Sequence, residues 1–376
     1  MKIPETVDEL RAAGDEFAGE LRELKARVIV PDYGWYPYET LTGIGVLCDV
    51  LGPVWSEVRE AAARIGVADL GCGDGDMAAL FARMGCTVDA VDHAECNFNQ
   101  LRGVEKLAME LDIPVSAWDI DLDHPFQLPR KDYGLALFLG TLYHLKNPFY
   151  VLERLAEHAD WCVVSTRIAQ VTPRGSRMEE EPLAYLLGAR EANDDPTNFW
   201  IFSMTGLVRL MERAGWIVMA QRRVGCADGS DPVRASADER AFLVGKSRKR
   251  HPGMHVRMAQ GWHAEEEGGY RWTARRFALD VTLAEPAREF ALRFFVPEPV
   301  AESGVVKVAC RISGLPVGAI TCDRADGIEF RGRFPSKEIT QRLEFTVESA
   351  YQPVGDAREL GICVPMVEGK MPFRVS

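Results

Sequence analysis

The sequence predicts an α/β domain with a mostly parallel sheet of seven strands, preceded by helices and followed by an antiparallel β-sandwich. Short apolar runs alternate with amphipathic helical stretches between residues 66 and 245. A glycine-rich turn at residues 71–75 follows the first of these runs, and period-two alternation replaces the helical pattern after residue 250. Alternating strands and helices favour a parallel sheet that helices cover on both faces, whereas period two favours antiparallel strands.

The order of these patterns predicts three regions. Residues 6–29 have apolar side chains at helical spacing behind a candidate N-cap, Thr6, and a second helix is expected over 41–64. The aromatic loop 33–38 between them either packs at the edge of a core or covers a flat ligand. We therefore expect an N-terminal helical cap, a central α/β domain and a β-sandwich, over residues 1–60, 61–248 and 254–376.

Within the central domain, the apolar runs place the strands of the sheet at 66–70, 87–91, 114–118, 133–139, 161–165, 216–220 and 240–245. The segment 166–202 is longer than a crossover between two strands requires. Long insertions at the carboxyl edge of such a sheet usually carry function.

Length and composition indicate the number of domains, the absence of a membrane span and the cellular compartment that we expect. A chain of 376 residues favours two domains, and no apolar run approaches the ~18–20 residues that span a bilayer. The first residues lack the apolar segment of a secretory signal. Nine cysteines without a CxxC pair favour reduced thiols, so we expect a cytoplasmic protein without a metal site.

Charge argues against nucleic acid as a partner. The whole chain has a net charge of −12, and residues 251–376, with 16 basic and 17 acidic residues, account for only −1 of it. Residues 1–250 therefore hold the other −11. Affinity for phosphate backbones comes largely from lysine and arginine, which such an acidic domain does not favour.

The segment Val67–Gly75 (VADLGCGDG) predicts a ligand site, because it follows an apolar strand and opens a helix. Gly71 and Gly73 allow a sharp bend and close approach to a ligand, and the helix start supplies N–H groups. A dinucleotide fingerprint would place its third glycine at position 76, where this chain has Asp76. We expect Cys72 to fill space within the loop.

Acidic residues in or after three successive strands indicate the chemistry of the ligand. Asp69 lies within the first strand and needs a partner, such as the ammonium group of an amino acid. Asp92 ends the second strand, where it could accept ribose hydroxyls, and Asp119 ends the third, where it could accept an adenine amino hydrogen. His93 is expected on the adenosine side. The ligand is thus cationic at one end and adenosine-like at the other.

Over residues 60–245 the chain resembles the class I S-adenosylmethionine-dependent methyltransferases, which have a Rossmann-like fold. The resemblance implies that S-adenosylmethionine is the cofactor, that S-adenosylhomocysteine is the product, and that segments 216–220 and 240–245 form a closing hairpin. The candidate cofactor-binding residues are Tyr38, Asp69, Gly71, Cys72, Gly73, Asp92, His93, Asp119, Ile120, Leu139 and Gly140. A Rossmann fold for another nucleotide is the alternative.

A narrower resemblance begins at the fourth strand. Segments 138–148 and 193–200 resemble bacterial tRNA wobble-uridine carboxymethyltransferases, and related small-molecule methyltransferases share versions of both. Tyr143 and His144 are the candidate catalytic residues, since histidine accepts protons near neutral pH. Whether His144 is a base or only shapes the pocket is open. Arg167 either holds an anionic acceptor or pairs with nearby acids, and pairing is favoured.

The last region resembles an accessory β-sandwich of bacterial proteins linked to surface polysaccharides. Its Trp262 and Trp272 either stack on sugars or belong to the core, and the core is favoured. We therefore expect methyl transfer to a hydroxyl or similar nucleophile on a small molecule or glycan. A tRNA wobble-uridine modifying transferase and a non-catalytic glycan-binding or assembly protein are the alternatives, and homo-oligomer formation is open.

Overall fold

The structure is a computed structural model that describes all residues except 1, 31, 227–228, 252, 267, 303, 323–326, 354–356 and 367–370. The chain divides into two compact units, Met1–His251 and Pro252–Ser376. Arg250 belongs to the first unit, because its Nε donates at 2.7 Å to Asp160, a carboxylate that is 4% exposed.

Three helices precede the first sheet: α1 (Val7–Arg27), α2 (Ile44–Leu51) and α3 (Trp55–Ile65). Thr6 is the N-cap of α1, as expected, and forms a capping box with Glu9. The expected second helix is divided between α2 and α3 by a 3₁₀ turn at Gly52–Val54, because Pro53 lacks the N–H that a continuous helix needs.

The stretch Thr40–Ile65 is the one helical stretch of the described residues that is long and apolar enough, by length and composition, to cross a membrane. About half of its most apolar window is buried inside the protein. Its buried side chains, among them Leu47, Val50 and Val58, join the same hydrophobic cluster as strand residues Val67 and Leu135. Core helices pass the same test of length and composition.

The first sheet contains nine described strands. They are β1 (Val67–Leu70), β2 (Val88–Asp92), β3 (Val115–Asp119), β4 (Tyr133–Leu139), β5 (Ala159–Ile168), β6 (Ala184–Leu186), β7 (Trp200–Phe202), β8 (Trp216–Gly225) and β9 (Glu239–Ser247). The helices of this region are α4 (Asp76–Arg83), α5 (Arg102–Leu111), α6 (Pro148–His158) and α7 (Met204–Arg213).

The strand order is β3-β2-β1-β4-β5, and these five strands are parallel. Strand β9 pairs antiparallel with β5, and β8 pairs antiparallel with β9, which is the expected closing hairpin. The predicted number of seven strands needs a correction, since the segment 166–202, here called the insertion, adds the hairpin β6–β7. This hairpin joins β5 through the pairing of Ile168 with Phe202. Strands of three residues are too short for a periodic pattern to reveal.

The second unit contains the remaining described elements. They are β10 (His255–Glu266), β11 (Tyr270–Thr282), β12 (Glu289–Phe295), α8 (Glu298–Ala301), β13 (Val306–Ile312), β14 (Leu315–Cys322), β15 (Gly327–Arg333), β16 (Thr340–Val347), β17 (Cys363–Pro365) and β18 (Phe373–Val375). All the pairings between these strands are antiparallel.

These strands form one continuous sheet in the order β14-β13-β16-β11-β17-β12-β15, with β10 beside β11 and β18 beside β12. The two end strands lie close together, because a Cβ atom on Gly318 would be 2.7 Å from the carbonyl oxygen of Arg331. The predicted two-sheet sandwich is therefore not confirmed, and the unit is a single sheet curled almost to closure. Period two identifies the buried face of each strand but not whether the strands share one sheet.

Trp262 is partly buried and packs against the core of this second unit. Its ring lies edge-on to Phe277 at 5.1 Å, and its Nε1 donates to the carbonyl of Ala278 at 2.9 Å. Trp272 is partly buried against the same cluster. The packing of both tryptophans supports the favoured core alternative.

Candidate active site

The glycine loop between β1 and α4 adopts the left-handed backbone that its glycines permit. Gly71, Gly73 and Gly75 have φ angles of +70°, +59° and +80°. A Cβ atom on Gly71 would lie 2.0 Å from Oγ1 of Thr141, which follows the end of β4. The loop thus packs directly against the neighbouring strand end, where any side chain at position 71 would collide.

Asp69 has its partner inside the protein. Its Oδ2 accepts the backbone N–H of Ala78 in the first turn of α4 at 3.0 Å. Burial raises the pKa of this carboxyl to about 7. The N–H of Ala78 is thus one partner of Asp69. A carboxylate accepts about four hydrogen bonds, so the expected contact of Asp69 with the ammonium end of the ligand stays a prediction.

Asp92 connects the glycine loop to the end of β2. Its Oδ2 accepts from the backbone N–H of Gly73 at 3.0 Å and from Asn97 Nδ2 at 2.8 Å, and its Oδ1 accepts from the N–H of His93 at 2.8 Å. Burial raises its pKa. A carboxylate accepts about four hydrogen bonds, so three described donors leave Oδ1 able to accept one hydroxyl.

Asp119 and His93 lie at the same edge of the sheet. Oδ1 of Asp119 accepts the N–H of Ala94 at 2.9 Å, which lowers the pKa of its carboxyl, and lies 3.3 Å from Nδ1 of His93. The N–H of Ile120 donates to the carbonyl of Asp92 at 2.9 Å. The strand ends of β2 and β3 therefore bring these predicted residues together.

Three other predicted residues surround the loop. Cys72 is 4% exposed and fills space, as expected, and burial raises its pKa. Leu139 ends β4. Gly140 follows with a φ of +76°, and its N–H donates to the carbonyl of Ser165 in β5 at 2.8 Å.

Sequence reasoning missed the ion pairs that tie α1 to the loop. Lys25 Nζ lies 2.7 Å from Asp76 and 3.2 Å from Asp74, and both carboxylates are almost fully buried. Asp74 also accepts the backbone N–H of Tyr36 at 2.7 Å. The available signal was the pair of acids on either side of Gly75, which need a cation if they are buried.

The aromatic loop lies beside the glycine loop. The ring of Tyr36 would be 3.4 Å from a Cβ on Gly73, and its centroid is 5.4 Å from Tyr38 and 6.1 Å from Phe98. Burial raises the pKa of Tyr36, and the proximity of Tyr143 adds to this rise. Tyr38 is 69% exposed, so loop 33–38 has both a packed and an open aromatic surface.

Tyr143 and His144 lie in the 3₁₀ turn Leu142–His144, directly after β4. Their ring centroids are 4.2 Å apart. The carbonyl of Tyr143 accepts the N–H of Phe199 at 2.8 Å, and Nδ1 of His144 lies 2.9 Å from Oγ1 of Thr197. The insertion 166–202 therefore contacts both candidate catalytic residues, and burial lowers the pKa of His144.

Two arginines lie near this turn, and they differ in what their guanidinium groups contact. Arg167 is buried, pairs with Asp238 at 2.9 Å and donates to the carbonyls of Asp231 and Arg234, which supports the favoured structural role. Arg240 lies closer to the turn, with its guanidinium 5.9 Å from the ring centroid of Tyr143. Sequence reasoning missed Arg240, because only the antiparallel pairing of β9 with β5 brings it to this edge.

The strand order, the antiparallel closing hairpin and the glycine loop between β1 and α4 define a Rossmann-like methyltransferase fold. A family model described as a methyltransferase domain matches residues 42–221, slightly less than half of the chain. This match confirms the predicted enzyme class, a methyltransferase, and with it the predicted cofactor, S-adenosylmethionine. The chain has no match among the curated proteins.

Solved structures resemble the chain at low identity. One is the N-terminal domain of EvdMO1 in the presence of S-adenosylhomocysteine and D-fucose, with 15% identity, coverage of 62% of this chain and 97% of that one, and a TM-score of 0.39. Another is 1,6-didemethyltoxoflavin-N1-methyltransferase from Burkholderia thailandensis, with 15% identity, coverage of 66% and 93%, and a TM-score of 0.35. The finer resemblance to tRNA wobble-uridine enzymes stays a prediction.

Proposed function

We propose that this enzyme transfers the methyl group of S-adenosylmethionine to a hydroxyl or similar nucleophile on a small molecule or glycan. The observation that carries the proposal is the placement of two different sets of groups along one edge of the sheet. Backbone N–H groups and Asp92 lie at the ends of β1 and β2, while Tyr143 and His144 follow the end of β4. Ligands of open α/β sheets bind at this edge.

The residues present fit the methyl donor. Gly71 and Gly73 give the loop its left-handed bend, and neither adds a side chain between the loop backbone and a ligand. Asp92 keeps a position on Oδ1 for a ribose hydroxyl beside its three protein donors. When bound, S-adenosylmethionine supplies an electrophilic methyl group on sulfonium and leaves as S-adenosylhomocysteine.

The acceptor half orients the nucleophile and removes its proton. With S-adenosylmethionine bound, the acceptor oxygen would displace the sulfonium sulfur from the methyl carbon, so the residues of this half have to present that oxygen and accept its proton. His144 takes the hydroxyl proton in this proposal, and burial, which lowers the pKa of its ring, favours the neutral form that can accept it. Holding the acceptor in line contributes more than this proton transfer.

Aromatic side chains make one wall of the acceptor half. Tyr143 is close enough to Tyr36 to contribute to the raised pKa of Tyr36. Tyr38 and Phe98 extend this wall outward, at 69% and 58% exposure. Flat or sugar-like rings bury apolar area against such side chains. This surface favours a cyclic small molecule or a sugar over an extended polyanion.

Calorimetric titration of the full chain with S-adenosylhomocysteine tests the donor half, with NAD⁺ as the control for another nucleotide. We expect micromolar binding of S-adenosylhomocysteine and no measurable binding of NAD⁺. Release of S-adenosylhomocysteine is then followed with panels of phenols, sugars and unmodified tRNA. Turnover confined to tRNA, or the absence of S-adenosylhomocysteine binding, would overturn the proposal.

A further inference from the structure

His144 is the end of a chain of three side chains that starts in the insertion. Oδ1 of Asp195 accepts the hydroxyl of Thr197 at 2.6 Å and its backbone N–H at 2.9 Å. The hydroxyl oxygen of Thr197 lies 2.9 Å from Nδ1 of His144, and the carbonyl oxygen of Thr197 lies 3.3 Å from the same nitrogen. Asp195, Thr197 and His144 are therefore connected through one hydroxyl.

The direction of these hydrogen bonds follows from the number of protons. A threonine hydroxyl has one hydrogen, and an ionised carboxylate can only accept, so Thr197 donates to Asp195. The hydroxyl oxygen is then left as an acceptor for His144, and the carbonyl of Thr197 can only accept as well. Both groups facing Nδ1 therefore require a proton on Nδ1, which leaves the lone pair of a neutral ring on Nε2.

We propose that Asp195 and Thr197 are positioning residues that set the tautomer of His144, so that Nε2 is the atom that takes the acceptor's proton. The tautomer follows from the geometry alone, and only the use of Nε2 rests on the proposed function. The backbone hydrogen bond from Phe199 to Tyr143 holds the insertion against the turn Leu142–His144, so the three side chains stay within hydrogen-bonding distance of one another. The insertion thereby has a chemical role beside its contacts with Tyr143 and His144.

The surroundings of the ring agree with this role. Asp195 and Asp92 favour the protonated ring, Arg240 opposes it, and burial opposes it more strongly. The net result is a lowered pKa, and Asp195 limits the fall. A base that is neutral at pH 7, but whose cation has a carboxylate behind it, suits reversible uptake of a proton.

Nitrogen-15 NMR of the full chain labelled at histidine tests the tautomer without any acceptor. At pH 8 we expect the Nδ1 shift of a protonated ring nitrogen and the Nε2 shift of an unprotonated one. Thr197→Val removes the hydroxyl but keeps the backbone N–H that binds Asp195 and the carbonyl that faces Nδ1, so its spectrum should move part of the way toward the Nε2–H form. Thr197→Ser restores the hydroxyl and should match the parent. An Nε2–H ring in the parent would overturn the assigned tautomer, and identical shifts in Thr197→Val would overturn the relay from Asp195 through the hydroxyl.

Kinetics separate this inference from the proposed function. Thr197→Val should lower kcat about two- to tenfold, the factor that one hydrogen bond supplies, while Thr197→Ser retains the parent value. Asp195→Asn should move the acid limb of the kcat profile to lower pH, because a group that raises the pKa of His144 is lost. If Thr197→Val altered the nitrogen shifts but left kcat unchanged, the assigned tautomer would stand and His144 would be refuted as the base.

Discussion

The cofactor half and the acceptor half of the site are held together by different kinds of contact. In the cofactor half, Asp69, Asp92 and Asp119 each accept a backbone N–H from a residue no more than 25 positions away. In the acceptor half, His144 depends on Thr197, which is 53 residues away, and Arg240 reaches Tyr143 from β9. The half for an unchanging ligand therefore rests on regular elements and main-chain groups. The half proposed for the acceptor rests on side chains from segments far apart in the chain, one of them on strand β9. Such contacts can differ between proteins that share the same sheet.

Gly71→Ala should break the cofactor half most severely. The new Cβ would meet Thr141 at 2.0 Å in a left-handed conformation, so we expect a loss of about 3 kcal/mol or more in unfolding free energy and no detectable S-adenosylhomocysteine binding. Gly175→Ala is the matched control in the insertion, where φ is +82° and none of the described atoms lies within 4 Å. It should cost about 1 kcal/mol and retain binding. Denaturant unfolding and calorimetry measure both, and similar losses in the two variants would contradict a loop packed on β4.

Asp92→Ala should weaken S-adenosylhomocysteine binding about ten- to hundredfold, the effect of losing a charged hydrogen-bond acceptor. It also leaves the Gly73 N–H and the Asn97 amide without their acceptor, so stability should fall by about 1–3 kcal/mol. Asp119→Ala is the control, because its carboxylate is more than half exposed and its loss should matter less. Calorimetric affinity that is unchanged in Asp92→Ala would remove this residue from the site.

His144→Ala should leave S-adenosylhomocysteine affinity nearly intact and lower turnover at least tenfold, because the loss falls on the chemical step. This outcome would separate the two halves functionally. His144→Asn can still bind Thr197 but cannot take a proton near pH 7. If single-turnover rates of the Asn variant and the parent were equal, His144 would only shape the pocket and the comparison of the halves would need another base.

Asp69→Asn tests the cofactor half through the pH dependence of the free energy of unfolding. The pKa of Asp69 is raised to about 7 from an ordinary 3.8, so the folded state holds a proton more tightly than the unfolded state between these values. The contribution of Asp69 to stability is therefore greatest below pH 4 and falls as pH rises toward 7. Between pH 5 and 6 the parent should lose about 1 kcal/mol relative to Asp69→Asn in denaturant unfolding.

Asp119→Asn is the counterpart in the same half, with the opposite sign. The folded pKa of Asp119 is lowered, so its contribution is present at neutral pH and is lost as pH falls through that lowered value. The effect should be small, because the side chain is 59% exposed. A stability difference between the parent and Asp69→Asn that stays constant with pH would show that burial does not hold Asp69 protonated.

Local sequence determined most of the cofactor half. The apolar runs, the glycines at 71, 73 and 75 and the acids at 92 and 119 act within single strand–turn–helix units, so their spacing was enough to predict the strands, the loop and the edge on which these residues meet. The sequence also indicated that the buried Asp69 needs a partner, but it did not indicate that the N–H of Ala78 is one of its partners.

Tertiary structure alone decided the remainder. The pairing of Lys25 with Asp74 and Asp76, the approach of Arg240 to Tyr143 and the relay from Asp195 through Thr197 to His144 join segments that are far apart in the chain. In the second unit, period two determined which side chains are buried, whereas the closeness of β14 and β15 made one curled sheet in place of a sandwich. Periodicity and spacing record the backbone's local conformation, but contacts between distant segments depend on how whole elements pack together.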